Sequence, residues 1–198
     1  MHIIKNLKKY LFCLVIMIAV IFLINGCARW PEDPNSGGIG QQQLTIKVEI
    51  NENGTINTDD GYYYIVFDTR EDTSFPPYDN IENWENGYYY IRLDDFGFYL
   101  GEIGIASEEY LGNIPSTEKY YQITIDLAKL GDPEEIFVNV ITTDKDEETY
   151  DYMNDALSLS ISDTSFVPYN NIVNDFQQDS TGGADFDIVQ VTTTIYVP

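Results

Sequence analysis

The chain has 198 residues, of which 33 are acidic and 10 are basic, and its formal net charge is −23. This excess of negative charge disfavours nucleic-acid binding, because affinity for a phosphate backbone comes mainly from Lys and Arg. The single histidine, His2, and the two cysteines, Cys13 and Cys27, lie within the first 27 residues, which excludes Ser-His-Asp, Cys-His and Cys/His zinc chemistry from the rest of the chain.

The chain begins with a secretory signal pattern. Three lysines precede an unbroken apolar run over residues 10–24, and the run ends at Asn25 and Gly26. A basic segment, a short apolar segment and a small residue at the cleavage site are the parts of a signal peptide. The run is shorter than the roughly 20 residues that a membrane-spanning helix needs. We therefore predict a cleaved signal peptide over residues 1–26 and not a permanent membrane anchor.

The residues at the predicted cleavage site, "LINGC", resemble the lipobox of bacterial lipoproteins. In that family the peptide is cut before a cysteine whose thiol carries a diacylglyceryl group. The resemblance implies cleavage after Gly26 and lipidation of Cys27. The alternative is an ordinary secreted protein with a free thiol at Cys27.

Residues 27–40 predict a flexible tether, since residues 28–40 contain two prolines and three glycines without apolar periodicity. Two or more acyl chains hold a protein stably on a membrane, so the lipid on Cys27 would be a sufficient anchor. Beyond Gly26 there are seven basic and 33 acidic residues, a net charge of −26, and anionic headgroups would repel this body. We expect an extracytoplasmic protein that contacts a bacterial membrane through its lipid.

From Gln41 onward the apolar residues alternate with a period of two, as in a half-buried strand. Seven further runs rich in aromatic and β-branched residues follow the first run, "LTIKVEI", and turn-forming clusters separate them. A single helical turn is predicted in "DLAKLG", which ends at Gly131. These eight strands predict one all-β domain over residues 41–198, a sandwich of two antiparallel sheets, with a barrel as the alternative. The seven runs begin at Tyr62, Tyr88, Phe98, Tyr120, Ile136, Leu157 and Asp187.

A twelve-residue segment occurs twice, as "DTSFPPYDNIEN" over 72–83 and "DTSFVPYNNIVN" over 163–174, with nine identical positions. Each copy follows one predicted strand and precedes another. Pro77 and Pro168 cannot donate a ladder hydrogen bond, and the Asp-Thr-Ser start favours local bonds from side chain to backbone. We predict that both copies are structured loops, and the sequence leaves open whether they are architectural or bind a ligand.

The sequence "GYYYI" also occurs twice. In extended strands the alternate tyrosines, Tyr62 with Tyr64 and Tyr88 with Tyr90, should face the same side of the sheet. Such a stripe can stack against sugar rings or anchor a protein partner. The simpler interpretation is that tyrosine is a favourable strand residue.

One acidic segment, "DKDEETYDYMND" over residues 144–155, has acidic residues at the positions where a calcium loop has them. It lacks the glycine of an EF-hand at the sixth position, where Thr149 stands, and predicted helices do not flank it. We therefore do not predict an EF-hand. Calcium stays the one candidate cofactor, with Asp144, Asp146, Glu148 and Asp151 as the candidate ligands.

Carboxylate catalysis is the enzymatic alternative that the composition leaves open. A glycosidase needs two carboxylates about 5 to 10 Å apart across a cleft. Glu102 lies in a predicted strand, but the sequence marks no second carboxylate as its partner. We predict that the chain is not an enzyme, and a carboxylate-based glycoside hydrolase is the third hypothesis for its function.

Two segments, "GYYYIVFDTRED" and "YYQITIDLAKLGDPEEIFVNVITTD", are similar to strand segments of carbohydrate-associated sandwich domains. These domains are typified by family 9 carbohydrate-binding modules and the C-terminal domain of glucodextranase. The similarity implies a two-sheet sandwich that holds sugar or calcium, and it identifies no ligand residue.

The leading hypothesis is a lipid-anchored envelope protein that acts as a non-enzymatic binding or interaction module. Glycan is the candidate ligand, and Tyr78, Trp84 and Tyr169, in or beside the repeated segments, are the predicted stacking residues. The alternative is a structural envelope lipoprotein that meets a protein partner through a sheet edge or the tyrosine stripe.

Overall fold

The structure is a computed structural model that describes residues 42–70, 77–113, 119–155, 157–161, 169–177 and 180–196. The predictions for the signal peptide, the tether and Cys27 lie outside the described residues. Within them the chain forms eleven strands: β1 Gln43–Ile50, β2 Gly61–Asp68, β3 Tyr89–Asp94, β4 Gly97–Glu102, β5 Glu109–Gly112, β6 Tyr120–Asp126, β7 Glu135–Asp144, β8 Thr149–Tyr152, β9 Leu157–Ser160, β10 Tyr169–Asn174 and β11 Ile188–Tyr196.

The strands form two antiparallel sheets that pack as a β-sandwich, which confirms the predicted fold class. The smaller sheet has the order β10-β11-β1-β6. The larger sheet has the order β5-β4-β3-β2-β7-β8, and β9 pairs with β7 on the same side as β8. The described strands form two separate sheets and do not close into the alternative barrel.

The main core lies between the two sheets because alternate residues of each strand point inward. In β1 the apolar positions are buried and the polar positions between them are partly exposed. In β2 the inward side chains are Tyr63, Ile65 and Phe67, which are fully buried. The ring of Tyr63 meets the ring of Tyr121 from the opposite sheet edge-on, with 5.5 Å between their centres. This continuous core joins the two sheets without a disulfide.

A second apolar cluster, the outer-face cluster, covers the other side of the larger sheet. It consists of Tyr64, Val66, Trp84, Tyr88 and Ile141, which are all buried. Tyr64 and Val66 occupy outward positions of β2 and Ile141 one of β7, while Trp84 and Tyr88 lie in the segment before β3. The predicted tyrosine stripe is therefore confirmed as one side of neighbouring strands, but much of it is buried.

Three strands, β5, β8 and β10, were not predicted from the alternation of apolar and polar residues. β5 and β8 have four residues each, and their burial does not alternate as it does in β9, which is equally short. β10 lies inside the second repeated segment. The predicted helical turn is confirmed as a 3-10 turn over Leu127–Leu130, and it ends at Gly131 in the left-handed conformation with a φ of 85°.

The described part of the first repeated segment packs on the outer face of the larger sheet. Asn139 of β7 donates a hydrogen bond to the carbonyl oxygen of Pro77, with 3.0 Å between the atoms. Thr149 of β8 donates to the carbonyl oxygen of Asp79 at 2.9 Å. A 3-10 turn, Ile81–Asn83, follows, and Asn80 caps it through its side chain. These contacts confirm a structured loop over residues 77–83, the described part of the first copy.

The second copy is different, because its residues 169–174 form β10 at the edge of the smaller sheet. The prediction of a loop is wrong for this half of the copy. Val173 stands where the first copy has Glu82, and it lies opposite Val191 of β11 and packs against the main core. A glutamate at this position would place a charge against apolar side chains. The difference between these two residues favours a strand in one copy and a turn in the other.

Candidate functional site

A row of large side chains crosses the outer face of the larger sheet. Consecutive strand partners place Tyr110 of β5, Tyr99 of β4, Arg92 of β3 and Tyr64 of β2 side by side. Tyr62 follows on β2, with 6.1 Å between its ring centre and that of Tyr64. We call Tyr62, Arg92, Tyr99 and Tyr110 the tyrosine face. Their alternation with inward residues of the same strands explains why all four point outward.

Arg92 holds this face together. The carbon of its guanidinium group lies 5.6 Å from the ring centre of Tyr62 and 5.6 Å from that of Tyr99. Its Nη2 donates to Glu108 at 2.8 Å and lies 3.3 Å from a carboxylate oxygen of Asp94. The cation therefore contacts an aromatic ring on both sides and is fixed by two carboxylates, which restrains the orientation of the rings.

Two further contacts make the face more rigid. Glu108 also accepts a hydrogen bond from the Tyr90 hydroxyl at 2.8 Å. The ammonium group of Lys145 lies over the ring of Tyr62, 4.3 Å from the ring centre. The same group donates a hydrogen bond to the carbonyl oxygen of Thr58 at 2.7 Å. The exposed ring surface is thus presented by side chains that need little reordering when a partner binds.

Exposure decides which rings are available to a ligand. The side chain of Tyr110 is 50% exposed, and its ring meets that of Tyr99 edge-on at 5.4 Å. Tyr62 and Tyr99 are half-buried. Tyr64, in contrast, is buried, and burial together with the nearby Glu147 raises the pKa of its hydroxyl well above the ordinary tyrosine value. Tyr62, Tyr99 and Tyr110 are therefore the candidate contact rings, and the buried ring of Tyr64 packs against that of Tyr62.

An end cleft of about 620 Å³ lies at the end of the larger sheet where β7 begins. Tyr89 and Leu130 supply its apolar surface, and Arg70 and Glu135 are among its polar lining residues. Asp68 binds Arg70 with two hydrogen bonds of 2.9 Å. Because Glu85 forms a further ion pair with Arg70, this cation is already compensated and has little positive charge left to attract an anion.

The two strands that precede the repeated segments both end at this end of the larger sheet. The strands that precede them, β2 and β9, pair with β7 from its two sides, and Asp68 and Ser158 both lie opposite Phe137. Two strand spacings correspond to about 10 Å. The sequence could not show this proximity, because 91 positions separate the two copies. Residues 71–76 and 162–168 lie outside the described residues.

A smaller pocket of about 260 Å³ shares Tyr89 with the end cleft. It contains Glu102, the carboxylate considered for catalysis, together with Glu108 and Glu109. Glu108 is engaged by Arg92 and Tyr90, and Glu109 forms an ion pair with Lys129. Three carboxylates therefore line this pocket, but no two of them can be assigned as the acid and the base of a glycosidase.

The three predicted stacking residues are not brought together as one described site. Trp84 is only 8% exposed, and its ring packs edge-on against Tyr64 at 5.4 Å. Its indole nitrogen donates to the carbonyl oxygen of Tyr78 at 2.9 Å, so it anchors the first repeated segment. Tyr78 is half-exposed. Tyr169 begins β10 on the other sheet, and its side chain lies outside the described part of the structure.

The four predicted calcium ligands occupy different structural positions. Asp144 accepts backbone hydrogen bonds from Asp146 and Glu148 and so stabilises the turn between β7 and β8. Asp151 is buried and accepts the backbone N–H of Ile188 at 2.7 Å. Across the described ranges, no group of three or more His, Cys, Asp or Glu side chains is placed to hold a metal ion. The calcium site stays a prediction.

The sequence pattern predicts the tyrosines of β2 but does not identify Arg92, Tyr99 and Tyr110 as site residues. The alternation of these strands indicates that Arg92 and Tyr99 point outward, since each occupies an outward position in the runs "YIRLDD" and "GFYLGE". What the sequence lacked was the register that places them side by side. A one-residue shift in register would have separated them onto opposite faces.

No protein-family model matches the chain, and a search of curated proteins finds no significant relative. Among the residues that the structure describes, no helix is long and apolar enough to cross a membrane.

Proposed function

We propose that this chain is a lipid-anchored binding module of a bacterial envelope and that the tyrosine face binds glycan. The observation that carries the proposal is the ordered row of Tyr62, Arg92, Tyr99 and Tyr110 on one open sheet face. Exposed aromatic rings can stack on the apolar face of a sugar ring, and they offer large area at low cost in conformational entropy.

Polar groups beside the rings supply the hydrogen bonds that a sugar needs. Arg92 offers guanidinium donors, while Asp94 and Glu108 offer carboxylate acceptors. Because these groups are already paired with one another, a sugar hydroxyl would join an existing network and would not meet an isolated charge. This arrangement suits a neutral, hydroxyl-rich ligand.

The test is binding of envelope polysaccharides and arrayed glycans to the chain with Tyr99→Ala and Tyr110→Ala combined. Loss of two contact rings should weaken binding by about 30-fold or more, since a hot-spot side chain contributes about 2 kcal/mol. Tyr196→Ala is the matched control, because Tyr196 is similarly exposed on β11 of the other sheet. Equal affinity of the double variant and the control would contradict the proposal.

The same face could anchor a protein, because Tyr and Arg are enriched at protein-interface hot spots. Phe96, in the turn between β3 and β4, is strongly exposed and favours this second function. Pull-down from membranes distinguishes the two candidates. Recovery of a defined protein that the Tyr99→Ala and Tyr110→Ala variant fails to recover would favour the structural lipoprotein, and recovery of polysaccharide would favour the glycan module.

The lipid anchor is tested separately at Cys27. Cys27→Ser should move the protein from the membrane fraction to the soluble extracytoplasmic fraction, because the acyl chains are lost. Mass spectrometry of the wild-type N-terminus should show a diacylglyceryl cysteine that begins the mature chain. An unmodified, uncleaved N-terminus would contradict both the anchor and the localisation.

A further inference from the structure

The tripeptide Glu-Asn-Gly occurs twice among the described residues, over 52–54 and over 85–87. In an Asn-Gly pair the backbone nitrogen of the glycine can attack the side-chain amide of the asparagine, because glycine has no side chain to shield that nitrogen. The reaction is intramolecular, so its rate depends on whether the two groups are free to meet. Since the two tripeptides are identical, a difference between them in the folded chain comes from their surroundings.

The first tripeptide is held in place by several hydrogen bonds. The backbone N–H of Asn53 donates to the side-chain oxygen of Asn51 at 3.0 Å, and the carboxamide of Asn53 donates to the same oxygen at 3.3 Å. The N–H of Gly54, which is the attacking group, donates to the carbonyl oxygen of Asn51 at 2.9 Å. Lys119 also donates to the carbonyl oxygens of Glu52 and Gly54. Ring closure at Asn53 therefore requires local opening of these bonds.

The backbone of Gly54 also contacts another loop. A Cβ atom at Gly54 would lie 2.0 Å from the carbonyl oxygen of Ala184, so the two main chains touch here. The next residue, Thr55, donates its N–H to a carboxylate oxygen of Asp185 at 2.8 Å. Movement of the Gly54 nitrogen toward the Asn53 side chain would disturb both of these contacts.

The second tripeptide lies in a turn before β3 and is much less restrained. The N–H of Tyr88 closes the turn by donating to the carbonyl oxygen of Glu85 at 3.2 Å, and Gly87 has a φ of 93°. A glycine with positive φ at the third position is typical of a type II turn. The side chain of Asn86 is exposed and forms no hydrogen bond with another described residue. The Gly87 nitrogen lies 3.4 Å from the carbonyl oxygen of Ile103, which is longer than an ordinary hydrogen bond.

We propose that Asn86 is a site of spontaneous deamidation in the folded protein, with water as the second reactant. The Gly87 nitrogen loses its proton and forms a bond with Cγ of Asn86. The bond from Cγ to Nδ2 breaks, and ammonia leaves with that proton, so the product is a cyclic imide. Water then opens the imide at either of its two carbonyl carbons and gives an aspartate or an isoaspartate at position 86.

The products would change the surroundings of the turn. Each one adds a negative charge next to Glu85, which already forms an ion pair with Arg70. The isoaspartate also adds a methylene group to the main chain directly before Gly87. Tyr88 follows and is buried, and the guanidinium carbon of Arg70 lies 4.7 Å from its ring centre. We therefore expect the isoaspartate form to unfold at a lower urea concentration than the unmodified chain.

Peptide mapping by mass spectrometry follows both tripeptides in one sample. The full chain in detergent is incubated for several days at mildly alkaline pH, and chromatography of the digest separates aspartate from isoaspartate. Conversion at Asn86 should be faster than at Asn53 by about tenfold or more, since breaking several hydrogen bonds lowers the population of the open state at Asn53. In urea, where both tripeptides are unrestrained, the two rates should become similar.

Two variants complete the test. Asn86→Gln should abolish the reaction at position 86, because a glutamine side chain would have to close a larger ring. Asn53→Gln is the matched control and should leave conversion at Asn86 unchanged. Equal rates at the two asparagines in the folded chain, the same ratio of rates in urea as in the folded chain, or aspartate formed without isoaspartate would overturn the proposal. Glycan binding tests the proposed function separately, because Asn86 is not part of the tyrosine face.

Discussion

At the residue scale, similar aromatic side chains have different roles because their exposure differs. Tyr110 and Trp84 both lie near the outer face of the larger sheet, yet one is half-exposed and the other is buried with its N–H donated to the chain. A buried indole with a satisfied N–H stabilises the fold. A half-exposed ring that neighbouring side chains hold in place is available to a ligand.

Replacing Trp84 should therefore affect stability more than binding. Trp84→Ala removes the contacts with Tyr64 and Tyr90 and the hydrogen bond to Tyr78, and it should lower the free energy of unfolding by about 3 to 4 kcal/mol. Urea denaturation measures this loss. The fraction that remains folded should bind glycan with the affinity of the wild type. Weaker binding per folded molecule would instead show that the ring contacts the ligand, as the sequence alone suggested.

Buried tyrosines also predict a loss of stability at alkaline pH. Burial raises the pKa of Tyr63 and of Tyr64 above the ordinary value of 10.0. Below that value the tyrosines are protonated in both the folded and the unfolded state, so their contribution is fully present. At higher pH the unfolded state loses its protons first, and the free energy of unfolding should fall by about 1.4 kcal/mol per pH unit for each tyrosine.

In Tyr64→Phe the free energy of unfolding should fall less steeply with pH, by about 1.4 kcal/mol per pH unit, because the variant lacks one titrating group. At neutral pH the variant loses only the hydrogen bond to Glu147, which contributes about 1 kcal/mol. Urea midpoints measured between neutral pH and the alkaline range give both quantities. An unchanged slope in the variant would show that Tyr64 does not titrate with unfolding.

At the element scale, two nearly identical segments fold differently because of their surroundings. The first copy is fixed on the outer face by Asn139, Thr149 and Trp84. The second copy pairs with β11 and contributes β10 to the smaller sheet. The shared residues therefore permit both a turn and a strand, and tertiary contacts, including that of Val173 with the main core, select one of them.

A single substitution in β10 tests this interpretation. Val173→Glu places a charge against the main core and should lower the free energy of unfolding by about 3 kcal/mol. Ile172→Glu is the matched control. Its side chain is 55% exposed, so it should change stability by about 0.5 kcal/mol or less. Hydrogen exchange should show loss of protection in β10 in the first variant only. Equal effects of the two variants would contradict the role assigned to Val173.

At the scale of the whole molecule, the excess of acidic residues sets the electrostatic behaviour. All the described basic residues contact an acidic side chain or a backbone carbonyl, and Lys119, for example, donates to the carbonyl oxygens of Glu52 and Gly54. The acidic residues far outnumber these cations, so most of their charge is unpaired. Self-repulsion of this kind destabilises a compact state.

Salt should therefore stabilise this protein. Raising NaCl from about 0.01 M to about 1 M shortens the Debye length from about 30 Å to about 3 Å, and the urea midpoint should increase as the repulsion is screened. At equal ionic strength CaCl₂ and MgCl₂ should have similar effects if screening is the only cause. A saturable increase with Ca²⁺ alone would support a calcium site at Asp144, Asp146, Glu148 and Asp151. A midpoint that falls with NaCl would contradict the electrostatic explanation.

The sequence by itself determined the fold class, because alternation with a period of two is a local pattern that a strand produces wherever it lies. It also predicted that Tyr62 and Tyr64 of β2, Tyr88 just before β3 and Tyr90 of β3 lie on the same side of the sheet. β5 and β8 escaped prediction because neither one alternates buried apolar with exposed polar residues. β10 escaped because its residues also occur in a turn.

Only the tertiary structure decided which outward residues become neighbours. Arg92, Tyr99 and Tyr110 belong to three strands, and the register between the strands places them in one row. Burial likewise separated Trp84 from the contact rings, and pairing left β6 at an edge. Register, sheet order and the burial of individual outward rings depend on contacts between residues far apart in the chain, and the alternation within one strand contains no information about them.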